Sequence, residues 1–313
     1  MLKDTPQLRE LLTLLFDNPK LEIEGPAKAS GQRVVYFCQF GKLKTDEAFE
    51  DGLKDAATWG PVVIKISQTR SPQTTAYLMK EVEILGGMAN THYPTLHFDR
   101  VFNQHPVTDD PFSHLLFVTI EEKVDARALS DCADEFSDEK SILVLLQRLV
   151  TALKIMWEHP GRLVHRDIKP DNILIRSNND VVIIDLGIVR EEGVDGNTNS
   201  FSPWGPCSIL YASPEQARNQ KRLISFRSDL FSLGTLAYEL AAKVHPFGSI
   251  GEEIGIILDR ICSEDPPKLQ ETIGCSQRFS ELIGRLLCKQ PYRRFRRIED
   301  LEDSIKAALS KIP

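Results

Sequence analysis

Leu8, Leu11, Leu12 and Leu15 recur at the spacing of one helical face, and Thr5-Pro6 ahead of them offers a capping hydroxyl and a first-turn proline. The pattern predicts an amphipathic helix over residues 5–17, inside an N-terminal segment 1–20 that packs on the strand-rich region next to it. The period then changes. Val62-Val63-Ile64-Lys65, after Gly60-Pro61, reads as a buried strand ending in a lysine, and Leu115-Leu116-Phe117-Val118-Thr119-Ile120 reads as another. A helix fits residues 74–86 between them. Farther on, Ile173-Leu174-Ile175 and Val181-Val182-Ile183-Ile184 flank the polar turn Ser177-Asn178-Asn179-Asp180, which predicts a hairpin. Helices fit residues 142–157 and 276–287. Residues 228–240 form an almost wholly apolar helix opened by Ser228 and Asp229, which belongs inside a large domain. Strands dominate up to residues 121–125 and helices beyond, so the fold class is α+β, with a smaller region at 21–122 and a larger one at 123–313.

Composition allows this reading. The 313 residues are 42% apolar and 27% charged, which is ordinary for a globular chain with room for two core-bearing regions. At net charge −7, the cluster Arg293, Arg294, Arg296 and Arg297 reads as solvated or ion-paired, and no nucleic-acid partner is expected. The six cysteines show neither CxxC spacing nor disulfide-scaffold density, which favours a reducing, cytoplasmic compartment and argues against structural zinc. No signal peptide is expected, and no apolar run comes near the roughly 18 residues a membrane span needs. The polar face of the N-terminal helix is short of basic residues, which favours packing over membrane-surface binding.

The chemistry concentrates in His165-Arg166-Asp167-Ile168-Lys169-Pro170-Asp171-Asn172. A carboxylate, an ammonium and a carboxamide stand there at the spacing that phosphoryl transfer to a hydroxyl requires. Asp167 can accept the hydroxyl proton, Lys169 can neutralise charge on the moving group, and Asn172 can hold a metal ion. The hairpin after this loop returns the chain to its starting end, so Asn172 and the aspartate of Asp185-Leu186-Gly187 finish side by side. Two oxygen ligands suffice for magnesium when substrate phosphates complete the shell. Lys65 sits in an apolar strand, where an ammonium needs a carboxylate partner. On the helix at 74–86, with Leu78, Val82 and Leu85 as the apolar stripe, Glu81 falls about 60° from the stripe's centre and Glu83 about 140° away, so Glu81 faces inward.

With these motifs the chain resembles the eukaryotic-type (Hanks-type) serine/threonine protein kinases from about residue 20 to 310. The resemblance implies a bilobal fold, a small mainly β N-lobe with one key helix and a larger mainly α C-lobe. It implies ATP with magnesium or manganese, and transfer of the γ-phosphoryl group to a protein hydroxyl. Asp167 and Lys169 take catalytic places, Asn172 and Asp185 bind the metal, and Lys65 pairs with Glu81 while reaching the phosphates. The glycine-rich phosphate loop is eroded: its overlay falls on Ala27-Lys28-Ala29-Ser30-Gly31-Gln32-Arg33-Val34, with Ala27, Ala29 and Gln32 where glycines are expected. Adenine is expected between Val34 and Val63 above and Leu174 below, with backbone hydrogen bonds near Glu121 to Lys123 and Ile120 at the back of the pocket.

Residues 187–213 resemble an activation segment that closes on Ser208-Ile209-Leu210-Tyr211-Ala212-Ser213-Pro214-Glu215. Lys169, together with Ser208 three places before Tyr211, matches serine/threonine rather than tyrosine kinases. In the family, the arginine at position 166 receives an activation-segment phosphate, so self-phosphorylation at Thr198, Ser200 or Ser202 is expected. By the same resemblance Glu215 pairs with Arg294 and Asp229 braces the catalytic-loop backbone. The eroded phosphate loop leaves open a pseudokinase that binds partners without turnover. A small-molecule kinase fits less well, because the Ser-Pro-Glu segment resembles a surface for protein substrates. Residues 42–59 form a mixed-charge insertion to which the resemblance assigns no role.

Overall fold

The computed structural model describes residues 3–30, 33–42, 51–69, 72–88, 90–105, 107–186, 190–191, 209–249 and 251–312. They divide into two compact units, Met1–Asp125 and Ala126–Pro313.

The first unit runs α1 (Pro6–Leu15), β1 (Leu21–Ser30), β2 (Arg33–Phe40), β3 (Pro61–Thr69), α2 (Pro72–Gly87), β4 (Leu96–Gln104) and β5 (Pro111–Glu122). Its strands form one antiparallel sheet in the order β1-β2-β3-β5-β4. Side chains alternate between the faces of a strand, so the register sorts them. Tyr36 pairs with Ile64 and Ile64 with Ile120, and this row points to one face, fully buried. Onto that face α1 lays Leu8, Leu12 and Leu15, joined by Phe16. Each such leucine contributes about 1.5–3 kcal/mol by leaving water.

Thr5 caps α1 by accepting from the Leu8 N–H at 3.2 Å. Asp4 ties the helix to the sheet, accepting from Arg9 at 2.6 Å and from the Tyr36 hydroxyl at 2.8 Å. The Arg9 hydrogen bond, with help from Tyr36, holds the Asp4 carboxyl down at about 2. The insertion after β2 has a packing role: Leu53 and Ala56 enter the same core, and Trp59 lies edge-on to Phe40 and stacks on His97 at 4.8 Å. On α2, Leu78, Ile84 and Leu85 are buried while Glu83 is exposed.

The second unit runs β6 (Arg127–Ala128), α3 (Leu129–Cys132), α4 (Glu139–Trp157), β7 (Leu163–Val164), β8 (Ile173–Ile175), β9 (Val181–Ile183), β10 (Arg190–Glu191), α5 (Pro214–Ala217), α6 (Phe226–Ala242), α7 (Ile254–Ser263), α8 (Leu269–Ile273), α9 (Gln277–Leu286) and α10 (Ile298–Leu309). Reciprocal side-chain caps open α4 (Asp138 with Ser141) and α6 (Ser225 with Ser228). Helix α6 is buried nearly all round, as its apolar sequence predicts. At Gly234 a Cβ would meet the Leu286 Cβ at 2.7 Å, so a glycine lets α9 approach this closely.

The Glu215–Arg294 pair expected from the sequence is present at 2.7 and 3.0 Å, and both side chains are wholly buried. The remaining valences are met: Ser228 donates to Glu215, and Arg294 donates to the carbonyls of Cys288, Arg227 and Lys289. A buried ion pair is tolerable when every polar atom is satisfied in this way.

Two substitutions probe this packing. Leu12→Ala should lower unfolding free energy by about 2–5 kcal/mol through lost burial and a cavity under the sheet. Glu215→Ala should cost about 3–5 kcal/mol, because it strands the Arg294 guanidinium in the interior. Denaturant titration of each variant measures both.

Candidate active site

The catalytic-loop motif leaves β7 and enters a short 3-10 turn at Pro170–Asn172 before β8. Asp167, on that loop, accepts from the Lys169 ammonium at 2.9 Å and from the Asn172 carboxamide at 2.9 Å, both on Oδ2. Asn172 also donates to the Asp167 carbonyl at 2.9 Å. Three of the sequence-predicted residues therefore meet at one carboxylate. The amide nitrogen of Asn172 is spent on Asp167, so its Oδ1 is left as the oxygen a cation could use.

The hairpin forms as predicted. Ile173 pairs with Ile183, and the Ile184 N–H donates to the Asn172 carbonyl at 3.0 Å, which brings the chain at Asp185 back beside Asn172. Asp185 has φ +66° and Arg166 has φ +71°, both left-handed conformations that a side chain adopts only when its surroundings enforce them. Leu186 is buried, and Leu174 is half-buried between the fully buried Ile173 and Ile175.

What enforces the loop is Asp229, from the first turn of α6. Its carboxylate accepts the backbone N–H of His165 at 2.9 Å and of Arg166 at 2.8 Å, and the indole N–H of Trp157 at 2.9 Å. Burial pushes the Asp229 carboxyl upward and the N–H donors oppose that push. Gln216 adds a further tie by donating to the Arg166 carbonyl at 2.8 Å. Trp157 and Gln216 carried no signal in the sequence, since their partners lie far along the chain. Beside the loop, a cavity of about 1140 Å³ begins at Lys169 and Asp171 and continues past Tyr211, whose hydroxyl donates to Glu239 at 2.5 Å.

In the first unit, Lys65 pairs with Glu121 at 2.8 Å, with both side chains nearly buried. Lys65 stands opposite Thr119 and Glu121 opposite Val63, so the two are diagonal neighbours on one face of adjacent strands. The sequence placed Glu121 here for its backbone and missed its side chain. The α2 backbone carries Glu81 as expected, but the Glu81 side chain lies outside the described residues, as do Gly31, Gln32 and the side chain of Ala29.

Register overturns several assignments. Val34 pairs with Ile66, and Ile120 with Ile64, so both point into the α1 core, away from Lys65. A shift of one residue along a strand exchanges its faces. Val35 and Phe37, opposite Lys65 and Val63, hold the place given to Val34. Thr119 and Glu121 hold that given to Ile120. Ala27 packs against the α1 core and its N–H serves Asp4, so it is not part of a loop over phosphates. The N–H groups of Glu122 and Lys123 are spent on the carbonyls of Thr95 and Pro61. The Lys123 side chain pairs with Glu24 at 2.8 Å over the Phe37 ring.

Among the described residues no group of three His, Cys, Asp or Glu could hold a metal ion. The cysteines described are free thiols, and no described helix is long and apolar enough to cross a membrane.

Comparison with known proteins agrees with this geometry. The model of the protein kinase domain matches residues 53–304. The chain is 34% identical over 170 residues to the serine/threonine-protein kinase PrkC of Bacillus subtilis, covering 54% of this chain and 25% of that one. It is 32% identical over 188 residues to PknA of Corynebacterium glutamicum, covering 59% of this chain and 38% of the relative. With drp72 of Corynebacterium efficiens, also a serine/threonine-protein kinase by name, it is 27% identical over 269 residues, 85% of this chain and 48% of the relative. The chain thus spans between a quarter and about half the length of these relatives. With most of its residues matched by the family model and the catalytic-loop residues gathered at one carboxylate, the chain belongs to the protein kinase domain family.

Proposed function

We propose that this protein transfers the γ-phosphoryl group of ATP to a serine or threonine hydroxyl of a protein. The observation that carries this reading is the Asp167 carboxylate, held by Lys169 and Asn172 on a loop whose backbone is fixed by Asp229. Asp167 orients the incoming hydroxyl and takes its proton, and Lys169, already within 2.9 Å, neutralises charge as the phosphoryl group arrives. Asn172 and Asp185 would hold magnesium or manganese, which when bound with ATP neutralises the phosphates. Catalysis by such a site is mostly positioning and preorganised charge, which suits residues locked by a buried brace.

Lys65 reaches the nucleotide phosphates, and Glu121 holds its ammonium in place. Because that carboxylate sits in the neighbouring strand, the sheet itself sets the lysine's position. The edge groups for adenine fall at Val124 N–H and the neighbouring carbonyls. The cavity beside Lys169 and Asp171 is roomy enough for an extended substrate segment, which favours a protein over a small metabolite. Lys169 and the names of the relatives favour serine and threonine acceptors. Self-phosphorylation at Thr198, Ser200 or Ser202 belongs to the same reading, although these residues lie outside those described. A cytoplasmic location, where ATP is at hand, also belongs to it and suits the unpaired thiols.

Incubation with labelled ATP and magnesium tests the proposal. Wild type should incorporate label into itself or a protein acceptor. Asp167→Asn should lower turnover by about 10²–10⁴-fold, the usual worth of a positioned base, while nucleotide affinity stays near that of wild type. Wild type with no incorporation would refute the reading. In steady-state kinetics Glu121→Gln should raise KM for ATP about tenfold, equivalent to about 1.4 kcal/mol, with Glu121→Asp in between. A Glu121→Gln enzyme with unchanged ATP kinetics would remove Glu121 from this role.

A further inference from the structure

Phosphoryl transfer gives no use to a cavity in the second unit. It is an open depression of about 710 Å³ beside α5, the start of α6 and the segment after α9, and five basic residues line it: Arg218, Arg222, Arg227, Lys289 and Arg296. The lining holds one carboxylate, Glu215, and that is fully engaged by Arg294 and Ser228. Arg218 donates only to the Cys262 carbonyl, and Arg227 to the Arg296 carbonyl while lying over the Phe226 ring. The Lys289 ammonium rests on the Phe247 ring at 4.0 Å. Carbonyls and rings orient cations without cancelling their charge.

Arg218, Arg227, Lys289 and Arg296 thus have no carboxylate partner among the described residues. Burial pushes Lys289 down to about 8, with Asp265 and Glu264 pushing the other way from outside the lining and Arg294 adding to the fall. On a chain of net charge −7, a concavity lined by basic residues with few carboxylates nearby attracts anions.

We propose that this cavity is a docking site for a phosphorylated, acidic peptide segment of a partner protein. Guanidinium forks match phosphate and carboxylate oxygens in paired hydrogen bonds. At the rim stand Tyr292, 64% exposed, and Leu223, 50% exposed, which offer a peptide the apolar contact that a free ion does not use. Arginine and tyrosine are the residues that dominate protein interfaces. The site is an open concavity, which a peptide segment can enter, whereas a bilayer would meet a broad, flat face. If the protein is a kinase, the ligand belongs to the chemical class of its product, so a phosphorylated partner would be retained for further transfer. The docking itself stands on the cavity and does not need the catalytic reading.

Binding is measured without nucleotide, by fluorescence anisotropy of a short fluorescein-labelled peptide with two phosphoserines among glutamates. Its unphosphorylated twin, vesicles containing phosphatidylserine and a single-stranded oligonucleotide serve as the other arms. The phosphopeptide should bind in a salt-dependent way, the twin about tenfold more weakly, and the triple variant Arg218→Ala/Arg222→Ala/Arg296→Ala at least about tenfold more weakly, with its thermal midpoint unchanged. These arginines are exposed, and the double variant Arg218→Ala/Arg296→Ala is the substitute should the triple one fold poorly. Equal phosphopeptide affinity in wild type and variant would overturn the proposal. So would vesicles or the oligonucleotide binding through these arginines while the phosphopeptide does not.

Discussion

One buried carboxylate organises the catalytic part of this protein. Asp229, wholly enclosed at the start of α6, accepts two consecutive backbone N–H groups of the catalytic loop and the indole of Trp157. A loop has few backbone partners of its own, so its conformation is only as fixed as the groups that satisfy it. Asp229 lets Arg166 keep a left-handed backbone, and that turn delivers Asp167 to the carboxamide of Asn172 and the ammonium of Lys169. The apolar wall of α6 makes the brace strong, since a carboxylate away from water holds its donors more tightly.

The same logic recurs twice with different purposes. Glu215 and Arg294 are buried with every valence met, and their pair anchors α5 to the chain after α9. Nothing about it is reactive. Lys65 and Glu121 are slightly more accessible and lie across adjacent strands, where a ligand phosphate can compete for the ammonium. A fully satisfied, wholly buried pair gives rigidity, while a pair that solvent still reaches is accessible to a ligand.

Much of the architecture was legible from period and spacing. The apolar repeat of α1, the hairpin that returns Asp185 to Asn172 and the buried helix opened by Ser228 and Asp229 formed where the pattern placed them, whereas the strand expected to end at Lys65 runs on to Thr69 and leaves the lysine in its middle. The catalytic trio was legible for a simple reason. Asp167, Lys169 and Asn172 lie within six residues, so a short loop cannot carry them far apart.

What the chain alone determined is which segments are helix or strand, and which residues a single loop or hairpin must gather, because periodicity and short-range geometry act along the sequence. Tertiary structure decided the rest. Val34 and Ile120 face the α1 core, and Glu121 rather than a backbone edge meets Lys65, because strand register, unsettled to one residue in a run of apolar side chains, assigns each position its face. Trp157 meets Asp229, and unrelated arginines meet around one cavity, because packing joins distant segments by shape and charge that no local pattern encodes.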